Sequence, residues 1–293
     1  IYLNVKYSIY ILNIFIDLKN INSKMKNEVI VAYLFSGFEN KENLYNFIKH
    51  YKKYRSGYKH RLLICFKLID NKKINELRKI LKKIKHIEFL DPCRINDFDF
   101  GTYGRVAELN KNKVIFFMNG YSYPIKKNWL KIIMKYYKKK TIIGCTGSYE
   151  SQLSSLKIKK FYKIFNYIKK YLFYKKNFNL FPNPHIRTAN FLINGKDFNS
   201  FNIKKIYKKK SDAWASESGK NGLTYFFKRK KFKIFVINSD AKVFTEREWM
   251  FSETYCYKNQ NKLLISDKHT RKFQNLSKIG KLGCKNKVWF NQS

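Results

Sequence analysis

From residue 29 onward, short and almost continuously apolar runs alternate with longer segments whose apolar residues recur every three or four positions. VIVAYLF (29–35) predicts a strand and ENLYNFIKHYKKY (42–54) a helix. RLLICFKLI (61–69) predicts a second strand ending at Asp70, INELRKILKKI (74–84) a helix, and HIEFL (86–90) a third strand closed by Asp91-Pro92. After a polar insert the rhythm resumes, with a helix over TYGRVAELNK (102–111), a strand at VIFFM (114–118) and a helix over KNWLKIIMKYYKK (127–139). TIIGCTGS (141–148) reads as a strand running into a turn of small residues. Strands alternating with helices require parallel pairing through right-handed crossovers, so the fold class is α/β. VIFFM is apolar at every position, as in a strand buried on both faces, and it stops abruptly in Asn-Gly-Tyr-Ser. In open α/β sheets ligands gather beyond the carboxyl ends of the strands, which makes that stop a candidate site.

The second half is less regular. Residues 149–182 form a Lys/Tyr/Phe-rich stretch expected to be helical, either as a solvated helix with an aromatic inner stripe or as an amphipathic face near a membrane or extended substrate. NPHIRTANFLIN (183–194) reads as a polar loop entering a short strand. SDAWASESGKNGLTYFFKRKKFKIFVIN (211–238) reads as a polar turn, a helix and a last strand, and the tail from Asp240 is mixed and polar. Residues 1–24, ahead of Met25, are expected to be an upstream extension or disordered segment. Their apolar run, YSIYILNIFI (7–16), is too short for a membrane span and has no small-residue cleavage signal. Residues 25–293 are expected to form one domain, with a nucleotide-binding half over about 28–148 and an acceptor and catalytic half over about 149–293.

Composition adds a formal charge of +42, which invites a nucleic-acid or membrane-surface partner. Lys, Asn, Ile, Phe and Tyr, all with AT-rich codons, dominate the chain, and Lys far outnumbers Arg, the better reader of phosphates and base edges. Lysine is also spread along nearly every predicted helix instead of one groove, so no specific nucleic acid is expected. Cys65, Cys93, Cys145, Cys256 and Cys284 are odd in number and lack C-x-x-C spacing, which predicts reduced thiols in a cytoplasmic setting. Cys65, inside an apolar run, reads as a small core hydrophobe.

Several chemistries are disfavoured. No G-x-G-x-x-G follows the first strand and no Walker sequence occurs, which argues against dinucleotide enzymes and P-loop kinases. H-E-x-x-H and G-x-S-x-G are both missing, and the five histidines are scattered. The features present are a strand-helix half sheet, a D-x-G-x-Y segment leading into a helix (Asp99-Phe100-Gly101-Thr102-Tyr103), and a strand ending in Asn119-Gly120-Tyr121-Ser122. An acidic residue ahead of a late helix and Lys-rich strand completes the set. Over roughly residues 28–240 the chain resembles nucleotide-sugar glycosyltransferases of the GT-A type. Within them it is similar to family 2-related bacterial polysaccharide-assembly transferases, in particular a rhamnan-synthesis-like branch.

That resemblance implies a Rossmann-like three-layer α/β/α sandwich with a mostly parallel central sheet. It also implies inverting transfer of a hexosyl or deoxyhexosyl group from a nucleotide-sugar to a cell-surface glycan or lipid-linked acceptor, in the cytoplasm or at the inner membrane face. Most relatives end the equivalent strand in Asp-x-Asp, which holds Mg²⁺ or Mn²⁺ against the donor pyrophosphate; Asn119 and Ser122 remove both carboxylates here, so that cation is in question. Lys, Arg or a helix N-terminus can stabilise the leaving diphosphate instead, and Arg105 and Arg187 are the candidates.

Donor binding falls to Ser36, Asp70, Asp99, Gly101, Tyr103, Arg105, Asn119 and Ser122, with Asp70 suited to ribose hydroxyls and Gly101 to close approach. Glu217 is the expected catalytic base and Asp212 the second candidate. His185, Arg187, Thr188 and Asn190 suit a hydroxyl-rich or phosphorylated acceptor. Each acid also has a plainer role open to it, as a helix cap or turn residue. Two rivals to a transferase stand: a basic nucleic-acid binder, and a GT-A relative that binds nucleotide without turnover.

Overall fold

The computed structural model describes residues 28–156, 164–202 and 207–290; the proposed extension at 1–24 lies outside them. The first half follows the sequence rhythm: β1 (Val29–Ser36), α1 (Lys41–Lys53), β2 (Arg61–Lys67), α2 (Asn71–Leu81), β3 (Ile87–Leu90), α3 (Phe98–Leu109) and β4 (Val114–Met118). There follow β5 (Tyr123–Pro124), α4 (Trp129–Met134), β6 (Thr141–Gly144) and β7 (Gly147–Ser148). The second half comprises α5 (Ile164–Asn177), β8 (His185–Ile186), β9 (Asn190–Asn194), α6 (Gly195–Asn202), α7 (Lys210–Ser218), α8 (Leu223–Arg229) and β10 (Lys233–Ile237). It closes with β11 (Val243–Phe244), β12 (Ile265–Ser266), α9 (Lys268–Gln274) and α10 (Lys278–Lys285).

The main sheet has eight strands in the order β11-β10-β6-β9-β4-β1-β2-β3. β1 pairs in parallel with β2 and β4, β2 with β3, and β6 with β10. Alternate residues of β1 feed two separate cores, as a period-2 strand must when both its faces are covered. Val29, Val31, Tyr33 and Phe35 join Leu44 and Phe47 of α1, Ile74 and Leu77 of α2, and Trp129 of α4 on one face. Ile30, Ala32 and Leu34 join Tyr103 and Val106 of α3, Phe198 of α6 and Phe227 of α8 on the other. The result is the expected three-layer α/β/α arrangement.

One strand breaks the parallel pattern in a way that builds the site. β9 is antiparallel to both β4 and β6, and Met118 at the end of β4 pairs with Asn190 at the start of β9. The loop ahead of β9 is thereby delivered to the carboxyl edge of the parallel strands, where periodicity alone had given it no address.

Several expectations need correction. The helix expected from Thr102 starts at Phe98, which puts Asp99 in its first turn. SDAWASES is helical instead of a turn, because Asp212 accepts from the backbone amides of Lys208 and Lys209 and so caps α7. The helix expected over 127–139 is confined to Trp129–Met134. In the 149–182 stretch only Ile164–Asn177 is helical among the described residues, with 157–163 outside them. Cys256 and Cys284 form a disulfide, their Cα atoms 5.9 Å apart, so the expectation of reduced thiols fails for this pair. Packing in the tail, invisible to spacing rules, brings the two together across 28 residues. Cys65 is buried in the core as expected, and Cys93 and Cys145 are unpaired.

Candidate active site

Three carboxylates from three elements converge at the carboxyl edge of the sheet: Glu39 after β1, Asp99 in the first turn of α3, and Glu217 near the end of α7. Burial pushes the Glu39 carboxyl up to about 8, with the charge of Asp99 adding to the rise. Asp99 presents surface to solvent yet is closely surrounded by protein atoms. That enclosure pushes its carboxyl up to about 6, Lys67 opposing the rise and Glu217 adding to it. Among the described residues Asp99 has no hydrogen-bond partner. The Tyr103 hydroxyl lies within the field of all three acids, is buried, and likewise makes no hydrogen bond.

Glu217 is held from the β9 side. The Thr188 amide donates to its Oε1 at 2.7 Å and the Thr188 hydroxyl to the same oxygen at 3.0 Å, leaving Oε2 without a protein partner among the described residues. The loop that carries Thr188 is itself anchored, by the Ile186 amide donating to Thr224 Oγ1 (2.9 Å) and Asn183 Nδ2 donating to the Ser218 carbonyl (2.8 Å). His185 is buried and neutral, its basicity lowered by burial. The Asn183 carbonyl, 2.8 Å from Nδ1, sets the tautomer with the proton on Nδ1, which leaves Nε2 as an acceptor. Asn190 is fully buried with neither carboxamide atom hydrogen-bonded.

The Asn119–Ser122 stop of β4 is a self-closed turn. Asn119 Oδ1 accepts from the Ser122 hydroxyl (2.8 Å) and the Tyr121 amide (3.3 Å), and the Ser122 amide donates to the Asn119 carbonyl (2.9 Å). Asn119 and fully buried Ser122 are thus engaged with each other. Gly120 has a definite reason to be glycine: a Cβ there would sit 1.6 Å from Glu39 Oε2. The Tyr33 hydroxyl donates to the Gly120 carbonyl at 2.6 Å.

Both arginines expected to face a diphosphate are occupied by carboxylates. Arg105 Nε donates to Asp91 Oδ1 (2.7 Å) and its Nη1 to Asp97 Oδ2 (2.6 Å), in a cluster that also holds buried Lys67 against Asp97. Arg187 donates to Asp267 (2.9 Å) and stacks on Tyr255, 3.8 Å from the ring centre. Gly101 faces Asp97, whose Oδ2 lies 1.9 Å from where a Cβ would be, so close approach there belongs to the protein's own side chain. Asp70 caps α2 through the Lys73 amide (2.8 Å), Asp212 caps α7, and Ser36 donates to Glu39 Oε1 (3.2 Å).

Two residues at this edge of the sheet were not singled out from the sequence. Glu39 hides among the polar residues of SGFEN, its only signal being an acid three positions beyond a core strand. Arg271, in the mixed tail, donates to the Tyr121 carbonyl (2.9 Å) and Ser266 Oγ (3.2 Å), lies 4.6 Å from the Tyr123 ring centre, and has no carboxylate partner among the described residues. With Lys268, whose Nζ lies 5.0 Å from the Tyr121 ring centre, it puts positive charge beside the β4 turn.

The half sheet, the acidic start of α3, the Asn-x-x-Ser stop of β4 and the late acid of α7 all meet at one edge of a mostly parallel sheet that holds one inserted antiparallel strand. The fold is an α/β/α sandwich around a mostly parallel eight-stranded sheet. No family model and no curated protein matches the sequence. Among solved structures this chain is similar to 4-diphosphocytidyl-2C-methyl-D-erythritol synthase from Anaerococcus prevotii, at 11% identity over 78% of this chain and 97% of that one, with a TM-score of 0.45. It is similar to the galactosyltransferase LgtC in complex with donor and acceptor sugar analogs, at 12% identity over 72% and 73%, with a TM-score of 0.41. A third is the bifunctional glycosyltransferase WbbM, at 11% identity over 91% of this chain and 45% of that one, with a TM-score of 0.39.

The Mg²⁺ or Mn²⁺ implied by the resemblance does not fit the Asn119–Ser122 turn after β4. The turn carries no carboxylate, Asn119 Oδ1 is turned inward, and among the described residues no group of three or more His, Cys, Asp or Glu side chains could hold a metal ion.

Proposed function

We propose that this chain is an inverting glycosyltransferase that moves a hexosyl or deoxyhexosyl group from a nucleotide-sugar to a hydroxyl of a glycan or lipid-linked acceptor, with Glu217 as general base. The carrying observation is the way Glu217 is held. Thr188 fixes one carboxylate oxygen with two hydrogen bonds and leaves the other without a partner among the described residues, at the carboxyl edge of β1 and β4. A base must combine fixed direction with a free lone pair, and such proton transfer contributes roughly 10²–10⁴ in rate.

In the step, Glu217 Oε2 takes the acceptor hydroxyl proton as the acceptor oxygen bonds to the anomeric carbon. The bond from that carbon to the donor diphosphate breaks, and the nucleoside diphosphate leaves with the electron pair. Back-side attack by a single nucleophile inverts the centre. Arg271, close to the β4 turn and unpaired with any carboxylate among the described residues, is the group suited to the charge that grows on the leaving diphosphate. Asp99, solvent-accessible and unpartnered among the described residues, accepts from donor hydroxyls. His185 Nε2, an acceptor beside Glu217, helps seat the incoming hydroxyl.

The test is Glu217→Gln, which keeps the shape and the acceptor oxygen facing Thr188. Donor binding by calorimetry should survive while transfer falls at least about a hundredfold. Undiminished transfer would remove Glu217 from the mechanism. Salt-sensitive binding of single-stranded RNA with no nucleotide preference would favour the basic-binder alternative.

A further inference from the structure

The outer side of α5 has an uncommon surface. Phe165, Ile168 and Leu172 are 78, 44 and 60% exposed, and their spacing of three and four places them on one ridge. Lys169, Lys175 and Lys176 are exposed around that ridge, and the helix contains no acidic residue. The inner side is fixed to the body by Tyr174, buried with its ring 5.3 Å from that of buried Phe178. Leu180, 67% exposed, extends the apolar surface beyond the helix end.

A second helix repeats the chemistry. In α10 no residue is buried, Ile279 and Leu282 are 84 and 56% exposed, and Lys278, Lys281 and Lys285 accompany them. Both elements are moored to the same short segment, residues 149–154. Ser151 Oγ donates to the Asn179 carbonyl (2.6 Å) and Ser154 Oγ accepts from the Phe181 amide (2.9 Å), just past α5. The Tyr149 amide donates to the Val288 carbonyl (3.2 Å) and Lys287 pairs with Glu150 (2.7 Å), just past α10.

We propose that α5, together with α10, docks the protein on the anionic surface of a lipid bilayer. Large apolar side chains interspersed with lysines, with no acid among them, match an interface whose acyl boundary takes the apolar groups and whose headgroups take the ammonium ions. At 14 residues α5 is too short to cross a bilayer, so it lies in the interface plane. A second copy of this chain is a poor occupant, because it would bring another +42 body and the same lysines against these. The proposal is independent of the catalytic assignment.

Co-sedimentation of the full chain with vesicles of phosphatidylcholine containing phosphatidylglycerol, at near-physiological salt, tests it. Net charge alone would give some binding, so the deciding variant is Phe165→Ser/Ile168→Ser/Leu172→Ser, which removes exposed groups only. It should keep the parent's circular dichroism and bind about tenfold or more weakly. Leu172→Trp should shift its emission to the blue with these vesicles and not with pure phosphatidylcholine. Parent-like affinity of the serine variant would reduce the effect to diffuse charge and overturn the proposal. An unshifted Leu172→Trp emission, or a shift given by single-stranded RNA and not by vesicles, would do the same.

Discussion

Glu39→Gln is the most informative single change, because it separates a site built for function from one built for stability. The Glu39 carboxyl titrates at about 8 against an ordinary 4.5, burial being the larger cause and the charge of Asp99 the second. The unfolded chain therefore ionises this group from pH 4.5 upward while the folded chain keeps it protonated to about 8. Below 4.5 both states hold the proton and the group is neutral to stability. Between 4.5 and 8 the folded state holds the extra proton, so stability falls as pH rises, and above 8 the loss is complete. A shift of that size corresponds to about 5 kcal/mol if the site were sealed. Glu39 keeps some solvent contact, and about 2 kcal/mol is the working magnitude. Gln keeps an acceptor for the Ser36 hydroxyl and cannot ionise. Urea unfolding at pH 5, 7 and 9 should show the variant nearly matched to the parent at pH 5 and more stable by about 2 kcal/mol at pH 9, with unchanged m-values. A gap that is constant across pH, or that narrows as pH rises, would refute the buried, uncompensated carboxylate. Transfer activity lost at every pH would add that the same acid serves the donor.

Three further outcomes follow from the geometry. Thr188→Ala removes the hydroxyl bond to Glu217 Oε1 but not the amide bond, so kcat should fall about tenfold with donor affinity, read by calorimetry, unchanged. Asp267→Asn leaves the buried Arg187 guanidinium without its counter-charge, and urea unfolding should show a loss of about 3 kcal/mol. Arg271→Gln should weaken nucleoside diphosphate binding about tenfold in titration calorimetry, and Arg105→Gln, remote in role, should leave that affinity alone while lowering stability.

The layout of the first half was legible because its local patterns are strong and mutually consistent. Asn40 and Asp70 cap α1 and α2, the apolar spacing of Leu44, Phe47, Ile48 and of Ile74, Leu77, Leu81 faces one core, and β4 is apolar throughout. The second half was harder because its order is tertiary. The helix α7 has no apolar stripe and is held by capping through Asp212, and β9 reverses direction on a loop whose residues are buried and polar. At the site, types of residue could be named but not their partners. Arg105 and Arg187 fitted an anion's chemistry, yet Asp91 and Asp97, in the irregular segment just upstream, hold the first, and Asp267, distant in sequence, holds the second. Arg271 carried no local pattern at all, and only the fold sets it beside Tyr121. The Cys256–Cys284 bond was missed for the same reason, its spacing matching no short motif.

The reversed strand β9 also makes the full set of three acids depend on the whole sheet. Glu39, Asp99 and the Asn119 turn are carried by the units from β1 to β4, in which Ile30 of β1 pairs with Arg61 of β2 and Val29 with Val114 of β4. Thr188 and Glu217 arrive only when β9 closes on β4, joining Met118 to Asn190 across most of the intervening chain. The β1–β4 and β4–β9 pairings are both long-range, so each carries a substantial loop-closure cost. A nascent or partly opened molecule that has its first half in place but β9 undocked holds two of its acids without the third. It lacks the carboxylate proposed as base, so on that assignment transfer requires β9 to be docked.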